Sequence, residues 1–308
     1  MISDILLQTS KILTLDIGTP TAKSYLPVCD LKWRRKSLIV KSVGKDARHS
    51  FPALTRKQWI ESCLRNSWIT RVCIDKELGE RAIGLWADAC YQANKPIYVR
   101  IPSNSNLPSC CQSNYWRIKR VLDWLAALTI LTIIAPVILA IAGAIAVFTP
   151  GPIFYRQWRV GQRGKLFKMY KFRTMVIDAE QKHHQLMLAQ AGLHKLENDP
   201  RVTSIGKWLR KYSLDELPQL FNVLRGEMSL VGPRPWALYD ALRLSSKARL
   251  NALPGITGAW QVEGRSHVLD LEAVTKWDLD YLNNWSLTRD LKILLLTIPK
   301  VFSGFGAY

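Results

Sequence analysis

The sequence predicts a mixed α/β protein: a helix-rich, membrane-associated domain with one re-entrant membrane helix, preceded by a small α/β domain. Three observations carry that prediction. Residues 37–101 alternate short β-branched runs with helical patterns. Residues 124–148 hold no charged side chain over 25 positions, and basic residues crowd both flanks of that run.

The small α/β domain comes first. SLIVKS (37–42), ITRVCI (69–74) and PIYVRI (96–101) read as short strands. Between the first two, Thr55 is a candidate N-cap, and Trp59, Ile60, Cys63 and Leu64 share one helical face. Between the latter two, Ile83, Trp86 and Cys90 fall at helical spacing. Strands alternating with helices define an α/β unit. It has no G-x-G-x-x-G, so a nucleotide site there lacks sequence support, and a docking or regulatory role is expected. The Ser/Asn-rich stretch PSNSNLPSCCQSN (102–114) reads as the joint. The domains are therefore drawn at 1–112 and 113–308. All six cysteines lie in the first 111 residues without a C-x-x-C spacing, which disfavours zinc and thioredoxin-type chemistry. With no basic and apolar leader pattern at the N-terminus, a reducing, cytosolic-side protein is expected.

The membrane helix, about 121–148, follows. Its uncharged portion, WLAALTILTIIAPVILAIAGAIAVF, is long enough to cross a hydrocarbon core of ~30 Å. Pro136 stands in the middle, removes a helix hydrogen bond and favours a kink. Lys119 and Arg120 precede the run; Arg156, Arg159, Arg163, Lys165, Lys168, Lys171 and Arg173 follow it. Positive flanks belong on the cytoplasmic face. A helix bent at Pro136 that enters and leaves by one leaflet satisfies both flanks, and a spanning helix satisfies one. Asp123 reads as a surface partner of Lys119 or Arg120.

The chain carries a formal net charge of +19 and a pI near 9.8. That calls for an anionic partner: nucleic acid, a membrane surface or a phosphorylated substrate. YRQWRVGQRGKLFKMYKFRTM (155–175) alternates apolar and basic residues around a turn at VGQRGK, the pattern of a strand pair. Its aromatics would suit single-stranded nucleic acid. That reading leaves residues 124–148 unexplained, so headgroup or phosphate binding is expected instead. LKILLLTIPKVFSGFGAY (291–308) is too short and interrupted to span, and suits the interface.

YSLDELPQLFNVLRGEMSLVGPRP (212–235) places two adjacent acids, Asp215 and Glu216, in this basic chain. Ser213 and Glu216 fit a capping box, Pro218 is tolerated in a first helical turn, and Leu214, Leu217, Leu220, Phe221 and Leu224 form an apolar stripe that Gly226 ends. A helix start also offers unpaired N–H groups and positive potential to a phosphate.

The second domain resembles the bacterial sugar transferases, monotopic polyprenol-phosphate phosphoglycosyl transferases. The matching stretches run in order: KRVLD (119–123), PGPIFYRQWRVGQRGKLFKMYKFRTM (150–175), DPRVTSIGKWLRKYSLDELPQLFNVLRGEMSLVGPRP (199–235), PGITGAWQVEGRS (254–266) and DLDYLNNWSL (278–287). The resemblance implies the re-entrant helix, a structural pairing of Asp123 that sets the helix end, and a catalytic Asp215–Glu216 pair. Asp215 would attack the phosphate bonded to the sugar of a UDP-sugar, releasing UMP. The covalent phosphosugar–aspartyl intermediate would then pass to undecaprenyl phosphate, in the first membrane step of exopolysaccharide, capsule or O-antigen assembly. Glu216 would help hold Mg²⁺, while Arg210, Arg234, Lys171 and Arg173 would meet substrate phosphate or nucleotide. The implied location is the cytoplasmic face of the inner membrane, with the bilayer as partner, no nucleic acid, and room for a homodimer. The sugar is not carried over. A membrane-anchored nucleic-acid binder and an inactive scaffold are the competing readings.

Overall fold

The computed structural model describes residues 29–42, 57–100, 114–177, 179, 199–243, 248–264 and 271–303. Thr55, Cys110, Cys111 and the proposed boundary at 112/113 lie outside them.

The N-terminal part is a four-stranded sheet in the order β1 (Cys29–Arg34), β2 (Ser37–Ser42), β3 (Arg71–Asp75) and β4 (Ile97–Arg100). The β1–β2 hairpin is antiparallel, and β2, β3 and β4 run parallel. Helix α1 (Lys57–Arg65) connects β2 to β3, and α2 (Gly79–Gln92) connects β3 to β4. The hydrophobic face of α1 is Ile60 and Leu64, while Cys63, expected beside them, is exposed. Ile83, Trp86 and Cys90 of α2 are buried as their spacing requires. Strand β1 has no counterpart in the sequence reading, because CDLKWR is mostly polar and only Cys29 in it is fully buried.

Helix α3 (Asn114–Phe148) is one 35-residue element that runs through Pro136. It begins seven residues before the expected start, since its first two turns are charged but packed. Trp116, Lys119, Asp123, Ala127, Ile138, Ile141 and Ile145 are buried, with Leu131 and Ile134 filling the gap. These positions recur every three or four residues, so they form one stripe along the helix. Both ends of the stripe contact the same globular body. The opposite side is bare and apolar: Ile133, Leu139 and Val147 are each 70–77% exposed.

After α3 the chain forms the antiparallel pair β5 (Phe154–Val160) and β6 (Leu166–Phe172), as the alternating run predicts. Helix α4 (Ser204–Lys211) and a 3₁₀ turn (Leu214–Glu216) lead into α5 (Gln219–Leu224). Strand β7 (Ser229–Val231) follows, then β8 (Trp236–Ala237), which joins β5, then α6 (Leu238–Arg243) and β9 (Gly255–Thr257), which runs parallel to β7. A π-helical turn (Trp260–Gly264) and helices α7 (Leu271–Asn283) and α8 (Leu287–Ser303) complete the described chain. Helix α8 buries Ile293 and exposes Leu291, Leu295 and Ile298.

A buried polar cluster ties α3 to α8. Lys119 Nζ donates to Asp290 at 2.7 Å and lies 3.6 Å from Asp123. Tyr281 and Trp285 also donate to Asp290, and Ser229 donates to Asp123. Lys119 is thus the partner of Asp123, one of the two expected pairings, but the pair is buried under α8 rather than lying at the surface as expected. Arg120 donates instead to the Met228 carbonyl at 3.1 Å.

Candidate active site

The site is built by β6, α4 and the 3₁₀ turn. Thr203 opens α4 as its N-cap, accepting from the Gly206 N–H at 3.0 Å. Gly206 lies flat on the backbone of Thr174, just beyond β6, where a Cβ would collide with the Thr174 carbonyl. That close approach lets α4 point Arg210 at the strand end, where its Nε donates to Thr174 Oγ1 at 2.9 Å. Ser213 then reverses the chain in a left-handed conformation, φ 53°.

The reversal corrects the capping-box reading. Ser213 makes no side-chain cap, and its left-handed backbone is not that of an N-cap, which sits in the extended region. Glu216 is held by Lys171, whose Nζ donates to Oε1 at 2.6 Å. The two acids occupy the 3₁₀ turn, and the α-helix proper begins at Gln219 after Pro218. The expected helix stop holds, with Gly226 at φ 75°.

Asp215 is only 9% exposed. Burial pushes its carboxyl up from the ordinary value to about 6; Lys171 opposes that shift, Glu216 adds to it, and Arg210 opposes it. Burial also lowers the Arg210 pKa, against the attraction of Asp215. The structure therefore brings together Asp215, Glu216, Lys171 and Arg210. Leu214 and Leu217, on either side of the acids, pack against the cluster formed by Ile138, Ile141, Ile145, Phe172 and Leu209. The carboxylates consequently sit beside the membrane helix.

The other expected phosphate ligands stand differently. Arg173 is 7% exposed and donates to the carbonyls of Thr149 and Pro150 and to Thr149 Oγ1, closing the C-terminal end of α3. Its terminal nitrogens are engaged by the helix end, because those carbonyls have no intrahelical donor. Arg234 is exposed and lies over the Trp260 ring at 5.0 Å. The neighbouring Arg159 has a buried Nε without a hydrogen-bond partner, and both burial and Arg234 lower its pKa.

Sequence reasoning missed Asn222, which is fully buried. It accepts from the Tyr170 N–H at 3.1 Å and donates to the Lys168 carbonyl at 2.8 Å, fastening α5 to the edge of β6. A polar residue inside the apolar stripe of α5 was the available signal.

A mixed α/β body carrying one helix long and apolar enough to cross a membrane, with a buried carboxylate between cations beside that helix, is suited to handling phosphorylated groups. The chain belongs to the bacterial sugar transferase family, whose pattern it matches over residues 114–304. It is 46% identical over 181 residues to galactosyl transferase CpsE of Streptococcus agalactiae serotype III, covering 55% of this chain and 40% of that relative. It is 42% identical over 200 residues to exopolysaccharide production protein ExoY of Rhizobium meliloti, covering 62% of this chain and 88% of ExoY. The same identity over 200 residues relates it to the UDP-glucose:undecaprenyl-phosphate glucose-1-phosphate transferase of Escherichia coli K12, of which it spans 41%.

Proposed function

We propose that this protein transfers a hexose-1-phosphate from a UDP-sugar to undecaprenyl phosphate, releasing UMP, in polysaccharide assembly. The observation that carries the reading is Asp215: a buried carboxylate flanked by Lys171 and Arg210, in a turn packed on the apolar helix. An Asp215 oxygen attacks the phosphorus bonded to the sugar, and the bond from that phosphorus to the bridging oxygen breaks, with UMP taking the electron pair. An oxygen of undecaprenyl phosphate then attacks the aspartyl-linked phosphorus and frees the carboxylate. Dividing the transfer keeps the two phosphate anions from having to meet in one step. Lys171 and Arg210 offset the negative charge that accumulates around phosphorus.

The possible metal donors at the site are the carboxylate oxygens of Asp215 and Glu216, and among the described residues there is no group of three or more His, Cys, Asp or Glu side chains that could hold a metal. That donor set fits Mg²⁺, which takes one or two carboxylates and completes its shell with substrate phosphates and water. Glu216 would hold it with Asp215 alongside, and bound Mg²⁺ would supply charge neutralisation on the phosphates.

The bilayer contact is the bare side of α3, with α8 lying along the interface through Leu291, Leu295 and Ile298. From Trp116 to Ile145 the helix is about 44 Å long, yet both ends of its buried stripe rest on one body. A perpendicular span would carry one end about 30 Å away, across the hydrocarbon core. The stripe supports a monotopic helix that returns to the cytoplasmic face.

The test is UMP release by the full chain in detergent with Mg²⁺, undecaprenyl phosphate and a panel of UDP-sugars, glucose and galactose first. Release with one donor, lost in Asp215→Asn, is the expected result. No release with any donor would overturn the reading.

A further inference from the structure

Strand β6 is shared by two parts of the molecule. Its residues alternate sides, as strand geometry requires. Phe167 and Met169 face the core that contains Leu220 and Val223, and Lys171 reaches Glu216. On the other side, Leu166 joins the hydrophobic cluster of the N-terminal sheet, together with Val160 and Leu238. Lys168 Nζ pairs with Asp88 of α2 at 2.9 Å and lies over the rings of Tyr91 and Trp158 at 4.4 and 4.9 Å. Trp158 Nε1 also donates to Asp88, and the Tyr91 and Trp158 rings meet edge to face at 6.1 Å. Tyr98 of β4 bridges to Lys165 at the start of β6. Gly164 lies so close to the Val99 carbonyl that a Cβ there would meet it at 2.5 Å.

An exposed ion pair alone would fix little. Here the ammonium is enclosed by a carboxylate and two aromatic faces, which is a directional seat for one cation. Asn222 grips the same stretch of backbone from α5. A displacement of Lys168 is therefore passed along three residues to Lys171, and through Asn222 to the helix that follows Asp215 and Glu216.

We propose that Asp88 and Tyr91 are positioning residues for the transfer reaction, seating Lys168 so that β6 delivers Lys171 to Glu216. The inference rests on the proposed function, and it gives the N-terminal sheet a constitutive part in the site.

The experiment compares the full chain with its Asp88→Asn and Lys168→Gln variants, and with Lys168→Arg, which keeps a cation in the seat. Two quantities are read: kcat and KM for the UDP-sugar, and amide hydrogen exchange over Phe167–Phe172. Asp88→Asn and Lys168→Gln should lower kcat by about tenfold, as slight misplacement at a reaction centre does, with KM within about twofold of its starting value. Exchange across β6 should quicken, and Lys168→Arg should remain near the parent on both. A fall in thermal stability with kcat and β6 exchange unchanged would overturn the proposal. If the parent releases no UMP, the functional reading fails by itself, and β6 exchange still decides the inference. If Asp88→Asn does not fold, the Lys168→Gln and Lys168→Arg pair carries the same comparison.

Discussion

Lys171 Nζ stands 2.6 Å from Glu216 Oε1, and the same ammonium opposes the upward shift of Asp215. One cation from β6 thus serves both acids, fixing the second while keeping the first ionisable. Lys171→Met should lower kcat by about 10²–10³-fold, the range for removing one preorganised donor from a reaction centre. The acid limb of its kcat/KM profile should also move to higher pH. A UMP-release profile with an unmoved acid limb would show that Lys171 acts only on substrate.

Asp215→Asn separates stability from activity. Burial holds the folded carboxyl at about 6, above its ordinary value of 3.8. Because that pKa is raised, the native state binds the proton more tightly than the unfolded chain does. The stabilising share is complete below about pH 4 and is lost as pH rises through about 6, where Asp215 ionises in its buried setting. Asparagine escapes that cost, so the variant should be more stable than the parent above about pH 6, by roughly 2–3 kcal/mol. The advantage should vanish below about pH 4. UMP release should fall by at least about 10³-fold, since the nucleophile is gone. Thermal melts from pH 4 to 8, run beside the activity assay, check both halves.

The acid limb of the parent enzyme follows from the same residue. On the proposed mechanism it is the ionised form of Asp215 that attacks phosphorus, so kcat/KM should rise about tenfold per pH unit below 6 and level off above it. A limb centred near pH 4 would mean that substrate and charge neighbours overcome the burial.

The long apolar helix and the hairpin were legible because each is local: 25 uncharged positions, and an alternating run around a turn. The acids were legible from motif order. Their local geometry was not, since S-x-x-E fits a capping box as well as it fits a left-handed Ser213 followed by a 3₁₀ turn. What decides between them is Gly206 of α4 lying on Thr174, a contact between residues far apart in sequence. The contacts of Arg173 were hidden in the same way: nothing near it in the sequence announces the carbonyls of Thr149 and Pro150. Asp290 stayed hidden because its partner Lys119 is 171 residues away, and β1 because its side chains are mostly exposed.

Gly206 tests how closely α4 must approach. Alanine there would drive its Cβ into the Thr174 backbone, which cannot swing aside as a side chain would. The expected cost is about 1–3 kcal/mol, the range for overpacking. Arg210 would also leave Thr174 Oγ1, so kcat should fall beyond what the stability loss explains. Activity measured well below the melting temperature distinguishes the two. Full activity there would show that Arg210 does not depend on this approach.

Lys119 makes the last prediction, because its one charge serves two buried carboxylates. Asp290 and Asp123 are 7% and 6% exposed, and Lys119 is 2% exposed. Asp290→Asn leaves Lys119 beside Asp123, and the amide can still accept from Tyr281 or Trp285. Lys119→Met strands both anions, and breaking a buried pair by removing one partner costs about 3–5 kcal/mol. The lysine variant should therefore be the less stable of the two by a clear margin. Adding Asp290→Asn to Lys119→Met should recover part of the loss, since one stranded charge disappears. A thermal-melt double-mutant cycle in detergent measures that coupling directly. Additive losses would mean that Lys119 and Asp290 stabilise the α3–α8 contact independently, by packing rather than by charge.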